Sequence, residues 1–153
     1  MYNKFIKEKI SAIENSNFTH IVGPNPLLVT GETGSWDDDK IELCDIFKDN
    51  GKYYLYYHAM GNGESYRIGV AVADNPLGPF VKYENNPVLD LKNFGQGNDK
   101  YIACGSIFKE STDKYYLFYS TQQIDDPWNY YIGLATANNP LGPWKKHENN
   151  PII

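Results

Sequence analysis

The sequence predicts an all-β fold, with two four-stranded antiparallel blades of a β-propeller after a short N-terminal α-helix. Three observations support this prediction: the chain contains an internal repeat, each copy carries a tyrosine-rich strand, and each copy has the same proline-rich turn. A repeat that consists of several short strands is typical of propeller blades.

The helix is predicted at the start of the chain. Three isoleucines recur there at helical spacing among lysines and glutamates, namely Ile6, Ile10 and Ile13. The pattern stops near Asn15, so residues 1–17 are assigned to one helix. We expect this helix to cover an edge or a face of the β structure.

The repeat sets the boundaries of the blades. The run from Tyr66 to Phe80 returns from Tyr130 to Trp144, 64 residues later and without a gap. Fixed-period similarity is the sequence signature of repeat folds. The predicted blades lie at about 23–86 and 87–150, within a region 18–153 that also holds the start of a third unit.

Each unit contains recognisable strands and turns. The strands Tyr53–Tyr57 and Tyr115–Tyr119 are rich in tyrosine, which favours β structure. The pair Asn50–Gly51 is a hairpin signal. The runs Asn75–Phe80 and Asn139–Trp144 both begin Asn-Pro-Leu-Gly-Pro, and their prolines and glycine predict a tight turn.

Charge and composition exclude several classes of partner. The formal net charge is -5 and the pI is about 5.1, which argues against binding to nucleic acid through phosphates or to an anionic membrane. The sequence shows no membrane span and no secretion signal, so we expect a cytoplasmic protein. We expect Cys44 and Cys104 to be buried, reduced thiols. We predict no cofactor and no metal, because no ligand spacing stands out.

The run from Trp36-Asp37 through the first tyrosine strand to the turn before Phe80 resembles the blades of family 43 glycoside hydrolases. These enzymes are five-bladed propellers, and the resemblance covers about residues 23–153 of this chain. It implies hydrolysis of O-glycosyl bonds in oligosaccharides. It also implies that acidic residues from different blades, a base, a pKa-tuning aspartate and a glutamate acid, surround a central funnel.

The resemblance gives Asp45 a role. The run Leu43–Phe47 stands where the family shows Ala-Pro-Asp-Val-Phe, so Asp45 takes the position of the pKa-tuning aspartate. The Asp-Pro of the family near its first blade is absent here. Its Glu-Gly-Pro acid motif is absent too, and Cys104–Ser106 stands in a comparable place.

Glycosidic hydrolysis needs two carboxyl groups, one protonated and one ionised. The acidic stretch before and within the first strand supplies the catalytic candidates, Asp45, Glu42 and Asp38. Asp45 and Glu42 have no acidic counterpart in the second unit, which favours a function, although both could be solvated strand residues. Asp39 lines up with Asp99, which favours a structural role. Asp37 and Asp38 could both be simple loop acids.

Five residues are candidates for binding the substrate: Trp36, His58, Tyr66, Arg67 and Trp128. The three aromatic residues could stack on sugar faces or pack between blades. His58 could donate a hydrogen bond at the funnel or simply end its strand. Arg67 could bind a hydroxyl-rich or carboxylated ligand, or pair with a nearby acid.

Two blades leave outward faces that would expose apolar surface. We expect the chain to belong to a larger propeller or to form a homo-oligomer, since one short helix covers only one face. The predicted function is a glycoside hydrolase-like protein that binds oligosaccharides and acts as an assembled or full-length propeller. The alternatives are a non-catalytic carbohydrate-binding or assembly module, a fragment of a larger glycosidase, or a remnant without function.

Overall fold

The computed structural model describes residues 25–61, 63–91 and 99–153. They form two four-stranded antiparallel sheets, each in the order of the sequence. Blade one contains β1 (Lys40–Asp49), β2 (Lys52–Met60), β3 (Arg67–Ala73) and β4 (Val81–Lys82). Blade two contains β5 (Asp99–Ser111), β6 (Lys114–Gln123), β7 (Tyr131–Ala137) and β8 (Lys145–Lys146). The predicted all-β fold with two four-stranded antiparallel sheets is confirmed. The predicted helix at residues 1–17 lies outside the described residues.

The turns follow from the residues that the sequence places in them. Asn50 and Gly51 connect β1 to β2 with positive φ angles of 47° and 78°, the backbone of the tight hairpin turn that Asn-Gly favours. Gly78 and Gly142 also have positive φ, at 80° and 90°. Each donates its N–H to the asparagine carbonyl three residues earlier, so both Asn-Pro-Leu-Gly turns close in the same way.

An asparagine after each blade repeats one hydrogen-bond pattern. Asn86 accepts from the N–H of Val70 at 2.9 Å and donates to the carbonyl of Val70 and to the Tyr57 hydroxyl. Asn150 makes the same three bonds to Leu134 and Tyr119. In each blade the asparagine supplies an acceptor for a backbone N–H and adds a second donor to a carbonyl that also accepts from the N–H of Tyr83 or His147. This repeated role explains why the Asn-Pro phrase recurs.

The main core lies between the two blades. Phe47 of β1 meets the Tyr115 ring edge-on at 6.2 Å, and Tyr56 of β2 meets Trp144 at 6.4 Å. Tyr56 also donates a hydrogen bond to the Pro140 carbonyl. A second apolar cluster, which includes Leu55 and Tyr57, covers the opposite face of blade one. Burial of large aromatic rings therefore holds the blades face to face.

Polar contacts join the edge strands of the two blades. Asp49 at the end of β1 accepts hydrogen bonds from Lys109 and from the Tyr115 hydroxyl, at 2.5 and 2.7 Å. Desolvation alone would raise the pKa of Asp49, but these two donors hold that pKa below its ordinary value. This interblade contact fixes β1 against β5 and β6 at the end opposite to Lys40.

Each blade contains one buried ion pair at the same place in the repeat. Lys82 contacts Asp37 at 2.6 Å, and Lys146 contacts Asp99 at 2.7 Å. The structural counterpart of Asp99 is therefore Asp37, and the sequence comparison that matched Asp99 with Asp39 was wrong. A register shift between Asp99 and Tyr101 at the start of β5 displaces the two acids relative to each other.

Apolar side chains are exposed on the outward faces of both blades. Phe108 and Phe118 are exposed on blade two, and Leu43 and Ile46 on blade one. This exposure was predicted for an isolated pair of blades. Within the described parts of the chain, no helix has the length and apolar character needed to cross a membrane.

Candidate functional site

A β-bulge in β1 creates the candidate site. Between the hairpin turn and Asp45, β1 and β2 pair in one regular register, and the register shifts by one residue between Leu43 and Asp45. Cys44 is the extra residue of this bulge. As a result Glu42 lies directly opposite His58, and the two side chains share one face of the sheet.

Glu42 is at the centre of a polar group at this end of blade one. Its Oε1 accepts a hydrogen bond from the Tyr66 hydroxyl at 3.1 Å, and its Oε2 lies 3.3 Å from Nε2 of His58. The Glu42 side chain is 57% exposed, whereas the His58 side chain is 10% exposed. We call Glu42, Cys44, His58 and Tyr66 the Glu42 cluster. Its carboxylate is both held by donors and open to solvent.

His58 connects Glu42 to the bulge. Its Nδ1 lies 3.4 Å from the Sγ of Cys44, on the ring side opposite to the nitrogen that meets Glu42. Burial lowers the pKa of His58 below its ordinary value, although the nearby Glu42 carboxylate opposes this shift. The neutral ring that this favours would carry its proton on Nε2, donate it to Glu42 and leave Nδ1 as an acceptor for the thiol.

A row of aromatic rings leads from the Glu42 cluster to blade two. Tyr66 meets His58 edge-on at 4.9 Å and Tyr101 at 5.8 Å, and Tyr101 meets Tyr130 at 6.2 Å. Burial and the bond to Glu42 raise the pKa of Tyr66, so its hydroxyl stays protonated as a donor. Tyr66 and His58 were predicted site residues, whereas Tyr101 and Tyr130 were not. The available signal was the repeat, in which Tyr130 is the counterpart of Tyr66 and directly precedes β7.

Asp45 lies on the same strand but makes different contacts. Its Oδ2 accepts hydrogen bonds from the Ser106 hydroxyl at 3.2 Å and from the Ile107 N–H at 3.1 Å, both on β5. The sequence matched Asp45 with the Gly105–Ser106 pair of the second unit, and the strand pairing selects Ser106, because Asp45 lies opposite Tyr56 and Ser106 opposite Phe118. Asp45 therefore bridges the two edge strands, while its predicted role in tuning a pKa stays a prediction.

The other predicted catalytic residue, Asp38, lies in the loop before β1. Its Oδ2 accepts a hydrogen bond from the Gly34 N–H at 2.6 Å. This contact stabilises a turn, as the alternative interpretation of a loop acid expected.

Trp36 and Arg67 are packed together behind the cluster. Trp36 stacks on Tyr57 with 5.8 Å between the ring centroids, and the Arg67 guanidinium lies 5.6 Å from the centroid of the Trp36 ring. Arg67 also pairs with Glu64 at 2.6 Å and approaches Asp90 at 3.8 Å. Trp36 therefore packs within blade one and not, as the alternative interpretation had expected, between the blades, whereas Arg67 pairs with nearby acids as its alternative interpretation expected. Sugar binding by either residue stays a prediction.

Trp128 is separate from these residues. It is 88% exposed and lies in the loop between β6 and β7. Among the residues that the structure describes, no group of three or more His, Cys, Asp or Glu side chains is arranged to hold a metal ion. The structure thus brings together Glu42, His58 and Tyr66 of the predicted site residues.

Comparison with known proteins bears on what such a site does. A curated xylosidase/arabinosidase from Bacteroides ovatus is 28% identical over 93 residues, which are 61% of this chain and 26% of that protein. A solved family 117 glycoside hydrolase from the marine bacterium Zobellia galactanivorans matches with a TM-score of 0.67 and 27% identity. The match covers 82% of this chain and 37% of that chain. The resemblance to propeller glycoside hydrolases is confirmed.

A third similar protein is a family 43 β-xylosidase/α-arabinofuranosidase from a compost microbial metagenome, solved in complex with xylotriose. It matches with a TM-score of 0.57 over 71% of this chain and 35% of that chain, at 19% identity, and so shows a common fold. No family model matches the chain. The chain is glycoside hydrolase-like, and it spans about a quarter to two fifths of the length of these three proteins.

Proposed function

We propose that this chain supplies part of the active site of a glycoside hydrolase that cleaves O-glycosyl bonds in oligosaccharides, and that Glu42 is its catalytic carboxylate. The observation that carries the proposal is the environment of Glu42. Its carboxylate is 57% exposed yet held from two sides by Tyr66 and His58. Acid–base catalysis needs such a group, because it must reach the substrate in a defined orientation.

Sugar binding around Glu42 is supported by the neighbouring rings. Tyr66 donates its hydroxyl to the carboxylate, and its ring meets the ring of Tyr101 edge-on. Amphipathic rings of this kind contact the apolar faces of sugars while their polar atoms bind hydroxyl groups. The similar family 43 enzyme that was solved with xylotriose supports an oligosaccharide of this type as the ligand.

The second carboxyl group that hydrolysis requires is proposed to come from another blade. Asp45 is the nearest predicted candidate in the strand, but its Oδ2 is engaged with Ser106 and Ile107. The exposed apolar faces of both blades support a larger propeller or an oligomer.

The contact that joins the blades supports the same conclusion. Lys48 lies over Tyr53 at 5.0 Å on blade one, in the same way as Lys109 lies over Tyr115 at 5.3 Å on blade two. Lys109 also meets Asp49 of the neighbouring blade. The equivalent Lys48 is therefore proposed to meet an acidic residue of a further blade.

The test is hydrolysis of xylo- and arabino-oligosaccharides by the assembled propeller that contains either the wild-type chain or Glu42→Gln, with binding of xylotriose measured in parallel by calorimetry. Loss of a catalytic carboxyl group should lower the rate by about 100-fold or more while binding persists. Glu110→Gln is the matched control, because a tyrosine hydroxyl also donates to this exposed glutamate, at 3.1 Å.

The possible results separate the hypotheses. Hydrolysis that is lost in Glu42→Gln and kept in Glu110→Gln supports the enzyme. Binding of xylotriose without hydrolysis by the assembled wild-type propeller supports the non-catalytic carbohydrate-binding module instead. Equal hydrolysis by Glu42→Gln and the wild-type chain would contradict the role of Glu42.

A further inference from the structure

We propose that Cys44 is an activated thiol that His58 deprotonates, and that it forms mixed disulfides with small disulfide compounds at the mouth of the candidate site. The observation is a linear set of three side chains. The Sγ of Cys44 lies 3.4 Å from Nδ1 of His58, and Nε2 of the same ring lies 3.3 Å from Glu42. A thiol, an imidazole and a carboxylate in this order form a nucleophile with its base and the group that orients the base.

The bulge explains why the thiol points at the ring. Without the register shift, counting back from the hairpin turn would place Leu43 opposite His58. The bulge adds Cys44 between Leu43 and Asp45 as an extra residue of β1. Glu42 then lies opposite His58 in place of Leu43. Bulges redirect side chains and are enriched beside active sites. One local backbone feature thus positions both partners of His58.

The direction of proton transfer follows from the two contacts of the ring. With Nε2–H donated to Glu42, Nδ1 carries a lone pair and accepts the proton of the Cys44 thiol. The imidazolium that results would lie between a thiolate and a carboxylate, and both anions stabilise it. The other titratable groups near this ring system include Tyr66 beside His58, Tyr101 behind Tyr66, and Asp39, whose charge acts on Tyr66.

The reaction is a thiol–disulfide exchange. The Cys44 thiolate attacks one sulfur of the small disulfide, a new S–S bond forms, and the old S–S bond breaks. The other half leaves as a thiolate, and the proton that His58 had accepted passes to the solvent, or to the departing sulfur where that sulfur is basic enough to bind it. Cys44 is oxidised and the departing sulfur is reduced, so no further oxidant is required.

The partial burial of Cys44 would allow a small disulfide compound to reach its thiol. Cys44 is partly buried, neither fully enclosed nor fully exposed, and it lies at the edge of the core beside the exposed Glu42. A group attached to Cys44 would crowd His58 and Tyr66. Modification is therefore expected to weaken the binding of sugar at the Glu42 cluster, and this consequence alone depends on the proposed function.

The test follows the reaction of the chain with 5,5′-dithiobis(2-nitrobenzoate) by the coloured thiolate that it releases. Cys104→Ser makes Cys44 the single cysteine of the chain, since the sequence has two. In this background His58→Gln should slow the reaction near neutral pH by about tenfold, the change in thiolate fraction for a thiol pKa lowered by about one unit. His147→Gln, which changes an exposed histidine, should leave the rate unchanged.

A second variant and a control in urea distinguish a loss of thiol activation from a loss of the fold. Glu42→Gln alters an exposed side chain and should slow the reaction by a smaller factor than His58→Gln. In urea all variants should react at one common rate, because the arrangement around Cys44 is lost. Equal rates for native Cys104→Ser and Cys104→Ser/His58→Gln, or a Cys44 that reacts only in urea, would overturn the proposal. Both results are independent of sugar hydrolysis.

Discussion

Replacing Lys146 with methionine should destabilise the chain much more than the same change at Lys82. Both lysines pair with a buried aspartate at the same place in the repeat. The side chains of Lys146 and Asp99 are 2% and 5% exposed, whereas those of Lys82 and Asp37 are 27% and 4% exposed. Methionine keeps most of the apolar stem, so the substitution removes mainly the charge.

The size of the loss in unfolding free energy depends on the hydrogen bonds and the access to water that each aspartate retains without its lysine. Removing one partner of a buried pair costs about 3–5 kcal/mol, because the remaining charge is left without compensation. Asp99 retains hydrogen bonds from Thr121 at 2.6 Å and Gln123 at 3.1 Å, so we expect a loss near the lower limit, about 3 kcal/mol. Water reaches the other pair through Lys82, and about 1–2 kcal/mol is expected there.

Urea unfolding followed by circular dichroism measures both losses. A double variant, Lys146→Met with Asp99→Leu, should recover most of the stability, since apolar replacement of a whole buried pair is often neutral or better. An equal loss for Lys146→Met and Lys82→Met, or a double variant less stable than Lys146→Met alone, would refute the reasoning from burial.

Two further predictions concern the edge strands and the pH dependence. Asp45→Ala leaves the partly buried Ile107 N–H without its acceptor and should cost about 1–3 kcal/mol in urea unfolding, more than Ser106→Ala, which removes one exposed donor. The pKa of His58 is lowered in the folded state, so the unfolded chain binds more protons than the folded chain near that pKa. The free energy of unfolding should therefore fall as the pH drops below about 6.5, the pKa of histidine in the unfolded chain. Melting temperatures should show a smaller fall in His58→Gln; an identical fall in both proteins would contradict the shift.

The sequence predicted the blades well because their signals are local. The hairpin at Asn50–Gly51 and the two Asn-Pro-Leu-Gly turns depend on residues that adopt positive φ, and each lies where it was expected. The exposure of the apolar faces was also predictable from the number of repeats, since two units leave two outer faces without a neighbouring blade.

The site was harder to predict because a bulge decides it. Glu42, His58 and Tyr66 were each candidates, but their contact depends on a one-residue shift in register at Cys44. The hydrophobic pattern does not place such a bulge, and a regular hairpin would pair His58 with Leu43 instead. The role of Cys44 beside His58 was missed for the same reason.

A second register shift explains the error at Asp39. The sequence comparison followed the Asp-Lys pairs, whereas the ion pairs show that Asp37 takes the place of Asp99. The shift at the start of β5 changes the number of residues between the buried acid and the strand. Short loop changes of this kind preserve a contact in space while they break the sequence match.

The measurement that most directly tests the proposed sugar site is a titration of the labelled chain with xylotriose, followed by the amide signals in NMR spectra. We predict that the signals of Glu42, His58 and Tyr66 shift in proportion to the bound fraction, while those around Trp128 stay in place. Shifts confined to the loop around Trp128, or no shift at millimolar sugar, would contradict a carbohydrate site at the Glu42 cluster.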